Sequence, residues 1–469
     1  MPRPNVVMFI TDGHRAGALG CYGSDIAQTP HIDAFSQESA RFRRAFCTHS
    51  VCMPTRASIF TGRYPHVHGV WANGIALPRD EVTLPQVLAE AGYATCATGK
   101  VHFEPQEPYE GRAPIIDTSE PYYGFREVHL SENAIGRECL DFIDRERPRL
   151  SQQARKRVDM PAEVHELRWI TDQGIDFVRR HAAGPAPFFL SCSFHELSPP
   201  CITPLEYAGH FDPADVPVPD LREDDLAGRP PFYRQCYEGY LARGRQPDEP
   251  ALRRLIAGYY DQLRFIDHQF GRLTEALRSL GLWDNTIVLF TADHGLSLND
   301  HWQWRHGPFL FDEVTNIPML WHAPGVTAAG ANQALVEGVD IMPTVLELCG
   351  VETPAGVQGR SLVPLLRGAP GALGRESVLL QERRAPDLEV RGIDPDTVWQ
   401  VALRTEQYKL THYHDYPHGE LYDLRQDPGE FVNLYSDPAY RSVRSDLEAL
   451  LVERLVGSQD PLPGRHWAW

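Results

Sequence analysis

Two carboxylates stand where short apolar runs stop: Asp12 ends NVVMFITD, and Asp293, followed by His294, ends NTIVLFTAD. Carboxylates gathered at strand ends repel each other unless a cation lies between them, so this set reads as a divalent metal site. Taken alone, each Asp would serve equally well as a cap of a turn or helix. A third chemistry lies in VCMPTRASIFTGR, residues 51 to 63. Pro54 suits the first turn of a helix and Gly62 its end, which places Cys52 at the helix N-terminus, where free N–H groups and the dipole favour an anion. Arg56, one turn further, adds a planar cationic fork suited to a tetrahedral oxyanion. Three residues separate Cys52 from Arg56, too few for a cysteine phosphatase loop. A zinc site from Cys47, His49 and Cys52 would lack a second half nearby, and a buried structural thiol is the remaining reading of this segment.

Residues so far apart in sequence need a scaffold that brings strand ends together. Besides the two runs above, ATCATGK (94 to 100), PFFLSCSF (187 to 194) and IPMLWHAP (317 to 324) are apolar, of strand length, and end in polar or Gly-rich turns. Helical patterns alternate with them, including TLPQVLAEAGY (83 to 93) and a long one in which Leu252, Leu255, Ile256, Tyr259, Leu263, Ile266, Phe270, Leu273 and Leu277 recur at three- and four-residue steps. This alternation predicts an α/β fold: a large, mostly parallel sheet flanked by helices on both faces, over residues 1–375. From about 376 to 469 the runs SVLLQE, TVWQVALRTEQYKLTHY and GELYDL predict hairpin strands, followed by a helical SDLEALLVERLV, hence a smaller C-terminal α+β subdomain with an antiparallel sheet and an extended tail. Residues 104 to 163 and 211 to 250, rich in Pro, Gly and charge, read as long loops able to wall a site.

The order of the motifs carries a resemblance. Cys52-Met53-Pro54-Thr55-Arg56, followed by Thr61-Gly62-Arg63, resembles the CxPxR signature of the type I sulfatases, members of the alkaline phosphatase superfamily. FITDGHR (9 to 15), TGKVH (98 to 102), SFHELSPP (193 to 200), ADHGLSLNDHWQWRHGPFLFDE (292 to 313), GVDIMPTVLELCGV (338 to 351) and LRTEQYKL with GELYDLRQDPGE (403 to 430) extend it over nearly the whole chain. The resemblance implies that a formylglycine-generating maturation enzyme oxidises Cys52 to formylglycine. The aldehyde would be hydrated, and metal and Arg56 would lower the pKa of one hydroxyl for attack on sulfur or phosphorus. Loss of a proton from the second hydroxyl would then expel the sulfate or phosphonate and restore the aldehyde. It further implies one divalent ion, Ca2+ or Mn2+, held by Asp12, Asp293, His294 and residue 52. His102 is similar to the family histidine that assists the diol, and Lys100 to the lysine that neutralises charge on the transferred group. Asn73 falls where relatives place an asparagine near the substrate.

Three departures bear on substrate. Gly13 follows Asp12 where many sulfatases carry a second Asp or a Gln. His294 follows Asp293 where many calcium sulfatases have Asn; the set is similar to phosphonate monoester hydrolases and choline sulfatases, and an imidazole also suits manganese. His306 stands where lysine is common, and Ser198 where a leaving-group histidine is expected, so His195 or His306 is left to donate that proton.

The formal charge, 45 basic against 63 acidic residues for -18, excludes a nucleic-acid binder with a basic footprint and demands a local cationic pocket for an anionic substrate. No apolar run is long enough to span a membrane, and the N-terminus lacks the regions of a signal peptide. With nine scattered cysteines, these features predict a reduced, cytoplasmic protein. The tail QDPLPGRHWAW, with two tryptophans, predicts a homodimer or homotetramer. The expected activity is hydrolysis of aryl or small alkyl sulfate monoesters. The nearest alternative is a phosphonate monoester or phosphodiester hydrolase: Lys100 and His102 favour the sulfatase, Gly13 and His294 the alternative. A non-catalytic binder of sulfated ligands would follow if Cys52 stays a thiol.

Overall fold

The computed structural model describes residues 3–105, 121–131, 137–146, 160–197, 201–383, 393–394 and 398–462. Fourteen strands are defined among them: β1 (Asn5–Thr11), β2 (Ala40–Phe46), β3 (Ala94–Gly99), β4 (Glu127–Leu130), β5 (Phe188–Ser193), β6 (Thr286–Ala292), β7 (Ser297–Leu298), β8 (Trp304–Arg305), β9 (Asn316–His322), β10 (Gly330–Glu337), β11 (Ser377–Arg383), β12 (Trp399–Thr405), β13 (Tyr408–Tyr413) and β14 (Glu420–Asp423). Eight build one sheet in the order β10-β2-β9-β6-β1-β5-β3-β4. All its pairings are parallel except the two made by β9. β11 to β14 form a separate antiparallel sheet. This is the predicted architecture.

β1 lies at the centre, and all seven of its residues are buried, as an apolar run covered by helices on both faces must be. One core layer centres on Phe9, Phe270, Phe290 and Leu263, the other on Met8, Ile10, Leu289 and Trp321. The long helix Glu249–Ser279 supplies much of the first layer; the Asp248 carboxylate caps it by accepting from the Ala251 N–H at 2.8 Å. In the antiparallel sheet, Leu379, Leu403, Leu410 and Leu421 pack with Leu447 and Leu451 of the helix Arg441–Gly457.

Two segments expected as loops contain regular structure. β4 and the helix Arg137–Glu146 fall within 104–163, and the helix Pro231–Ala242 falls within 211–250. β4 is an edge strand of four half-buried residues, EVHL, too short and polar to stand out from its surroundings. β2 and β10, ARFRRAF and GANQALVE, were likewise not apparent as strands, because arginines interrupt one and the other is exposed along half its length at the opposite edge. The aromatic end of the tail, residues 463–469, and Ser198 lie outside the described residues. All nine cysteines are unpaired thiols, and among the described residues no helix is long and apolar enough to cross a membrane.

Candidate active site

Strand register brings the first two carboxylates together. Thr11 pairs with Ala292 across β1 and β6, so the next residues, Asp12 and Asp293, leave adjacent strand ends side by side. The Asp293 N–H donates to the Thr11 carbonyl at 3.1 Å. β2 ends at Phe46, and a buried turn leads into the helix Cys52–Thr61, every residue of which is buried. Gly62 ends that helix in the left-handed conformation, φ 66°, and a Cβ there would lie 2.7 Å from Val357 Cγ1. Both the geometry and the space select glycine.

Asp12, Cys52, Asp293 and His294 converge, each with one ligand atom within 4.8 Å of the others. Cys52 Sγ lies 3.3 Å from His294 Nε2, and that nitrogen is 3.9 Å from Asp12 Oδ1 and 3.8 Å from Asp293 Oδ1. Each carboxylate keeps its second oxygen for a protein cation: Lys100 Nζ is 2.5 Å from Asp12 Oδ2, and Arg56 Nε donates to Asp293 Oδ2 at 2.7 Å. His294 Nδ1 donates to the Gly295 carbonyl at 2.7 Å, which turns Nε2 toward the carboxylates. Burial alone would depress the His294 pKa, but the negative charges of Asp293, Cys52 and Asp12 override it and raise it to about 10. Burial also opposes ionisation of Asp12; Lys100, His294 and Arg56 overcome that and hold its carboxyl well below the ordinary range. Two carboxylate oxygens, an imidazole nitrogen and residue 52 thus converge on one position. That donor set fits a divalent ion of the Ca2+ or Mn2+ type.

All three Arg56 nitrogens donate to the protein. The side chain is fully buried, and besides Asp293 it donates through Nη1 to the Lys100 carbonyl and Ser193 Oγ, both at 2.8 Å, and through Nη2 to the Phe194 carbonyl at 3.4 Å. It thus fixes Asp293 and joins the ends of β3 and β5 to the helix of Cys52, and its Nη2 lies 3.8 Å from Asp12 Oδ2. Lys100 and His102 follow β3, and His102 takes a left-handed backbone, φ 58°. Burial, reinforced by Lys100 and Arg56, pushes the His102 pKa well below its usual value. Asn73 Oδ1 accepts from the Met53 N–H at 3.0 Å, so this side chain caps the helix one residue beyond Cys52.

The two histidines considered as proton donors occupy different places. The His306 ring centroid is 4.5 Å from that of His294, and Cys52, His294 and His306 also form a compact cluster. Burial and then the His294 charge push the His306 pKa well down. His195 Nε2 instead lies 3.4 Å from Glu166 Oε2 and 3.7 Å from Glu196 Oε1. Asp300 pairs with Arg15 at 2.9 Å and His301 with Asp225 at 2.9 Å; both hold loops. His66 and His68 support the helix and its surroundings through Gln381 and Ser58. Glu166, Ser193 and Glu382 were not apparent from sequence. Each meets the site through contacts between distant elements, for which no spacing rule exists.

A sulfatase family model matches residues 4–351, about three quarters of the chain, and a model of the C-terminal region of N-sulphoglucosamine sulphohydrolase matches residues 300–456. The chain belongs to the sulfatase family. It is 27% identical over 505 residues to an N-acetylglucosamine-6-O-sulfatase of Bacteroides thetaiotaomicron, covering 96% of this chain and 86% of that one. It is 26% identical over 487 residues to an arylsulfatase of Clostridium perfringens, with 98% and 95% covered. Among solved structures, the phosphonate monoester hydrolase of Silicibacter pomeroyi superimposes with a TM-score of 0.85 at 26% identity, covering 98% of this chain and 96% of that one. These matches place this sulfatase-family chain among hydrolases acting on sulfate esters, with structural kinship to a phosphonate hydrolase.

Proposed function

We propose that the protein hydrolyses sulfate monoesters, aryl or small alkyl, with residue 52 as nucleophile after its conversion to formylglycine by a maturation enzyme. The observation that carries this reading is the buried convergence of Asp12, Cys52, Asp293 and His294, with Lys100 and Arg56 on the outer carboxylate oxygens. Asp12, Asp293, His294 and residue 52 would hold the metal, which when bound supplies Lewis-acid charge to the nucleophile and the transferred oxygens. Lys100, kept charged by Asp12, opposes the negative charge that grows on the transferred group. His102, neutral because it is buried, takes a proton from residue 52 as the covalent ester collapses. Burial equally holds His306 neutral, as a hydrogen-bonding neighbour of the transferred group. His195, oriented by Glu166 and Glu196, is therefore the better donor to the leaving oxygen.

A second reading, hydrolysis of phosphonate monoesters or phosphodiesters at the same site, is favoured by the likeness to the Silicibacter pomeroyi enzyme and by Gly13 and His294. Measuring kcat/KM for an aryl sulfate and an aryl phosphonate monoester on one preparation separates the two. We expect the sulfate to be preferred; a strong preference for the phosphonate would overturn that choice.

A further inference from the structure

The five residues that join β2 to the helix of residue 52, Cys47 to Val51, are all buried and form neither strand nor helix. The Cys47 N–H donates to the Thr315 carbonyl at 3.0 Å and Thr55 Oγ1 to the His49 carbonyl at 3.0 Å; further contacts come from the antiparallel sheet. The Gln381 N–H donates to the Thr48 carbonyl at 2.9 Å. The next residue, Glu382, has a fully buried carboxyl that accepts from the Ser50 hydroxyl. His49 Nδ1 lies 3.3 Å from the same carboxyl oxygen and also accepts from the Val51 N–H at 3.2 Å. The imidazole and the carboxyl thus face each other inside the protein. Among the described residues no lysine or arginine pairs with Glu382. Burial raises this carboxyl to about 8 and lowers His49 to about 3, which leaves both neutral and the proton on Glu382.

The opposite wall touches the same spot. A Cβ on Gly307, next to His306, would lie 2.9 Å from Val51 Cγ1 and 3.1 Å from Ser50 Oγ, so the two turns are in direct contact and glycine permits it. The carbonyl of Pro308 accepts from the Gln400 amide. Glu382 and Gln400 are themselves partners across β11 and β12. One cross-strand pair thus grips both the segment that leads to the nucleophile and the turn that carries His306.

We infer that Glu382 is a positioning residue for residue 52: with Gln400, it makes the C-terminal sheet the rigid base that sets the gap between the nucleophile and His306. A buried, hydrogen-bonded group on a strand is well suited to this, because small errors in placement are costly; a shift of 1 Å can lower a rate by about 10²-fold. The inference builds on the proposed role of residue 52, but its structural content is open to an independent check.

The test compares Glu382→Ala, Glu382→Gln and Ser50→Ala, with residue 52 conversion measured by mass spectrometry and kcat expressed per converted chain. Glu382→Ala is expected to lower kcat by roughly 10 to 100-fold with KM within about twofold of wild type. Glu382→Gln, a neutral group of the same shape that can keep a hydrogen bond with Ser50, should recover kcat to within about threefold, and Ser50→Ala should fall between them. The same variants made without the maturation enzyme carry Cys52 as a thiol. There, Glu382→Ala should raise the rate of Cys52 alkylation by about tenfold or more, as the turn loosens, while Glu382→Gln leaves it near wild type. Wild-type kcat in Glu382→Ala, or a Gln variant as impaired as the Ala variant, would overturn the inference. If wild type hydrolyses no ester, the proposed function fails and alkylation alone decides the role of Glu382; an unchanged rate in the Ala variant refutes it. Should Glu382→Ala not fold, Ser50→Ala takes its place in both assays under the same criteria.

Discussion

At the scale of single residues, the site is a set of paired charges in which each carboxylate gives one oxygen to a protein cation and turns the other toward His294. Arg56 illustrates how residue type and residue orientation differ in legibility. Its presence one turn into the helix is read directly from CMPTR, but its engagement with Asp293 and the carbonyls of Lys100 and Phe194 depends on three strand ends meeting there. A buried ion pair broken from one side leaves an uncompensated charge and costs about 3–5 kcal/mol. Arg56→Ala should therefore lower unfolding free energy by about that amount in denaturant titration, besides removing activity. An Arg56→Ala protein as stable as wild type would show that Asp293 does not need this partner.

At the scale of elements, the central strands were legible because they are uninterrupted apolar runs, and their register then fixes where Asp12 and Asp293 emerge. β2, β4 and β10 were not, because edge positions and exposed side chains dilute the pattern on which such a reading depends. The helix Glu249–Ser279 was legible from its periodicity, yet not its second function. Asp267, on its buried face, accepts the His31 and Ile32 N–H groups at 3.2 and 2.8 Å and so caps the helix Pro30–Gln37. Burial outweighs those bonds and raises the Asp267 carboxyl to about 7. An acid whose folded pKa is raised contributes stability that is complete below its unfolded value, about 4, and is lost as pH rises through about 7. Asp267→Asn cannot ionise, so its melting temperature relative to wild type should rise between pH 4 and pH 8. A flat or falling difference across that window would contradict the assignment.

At the scale of the whole molecule, the antiparallel sheet is bound to the large one by buried charges. Ion pairs cross between the two parts: Arg229 with Glu420, Lys409 with Asp312, and Arg454 with Glu337. Residues 1–375 alone would leave Asp312 without Lys409 and would uncover Tyr64, Val339 and the turn before residue 52. We expect that fragment to be insoluble on expression, and a soluble, cooperatively folding fragment would show the two parts to be independent. The two-part architecture was legible from the change in pattern near residue 376, whereas Glu382 was not, because its contact with Ser50 spans 332 residues of sequence. The chemistry proposed for the site depends most on what residue 52 becomes. Mass spectrometry of the peptide carrying it, from protein made with the maturation enzyme and active on an aryl sulfate, should show the formylglycine aldehyde, with activity proportional to conversion and absent in Cys52→Ala. Full activity from protein whose residue 52 is an unmodified thiol, or retained activity in Cys52→Ala, would contradict it.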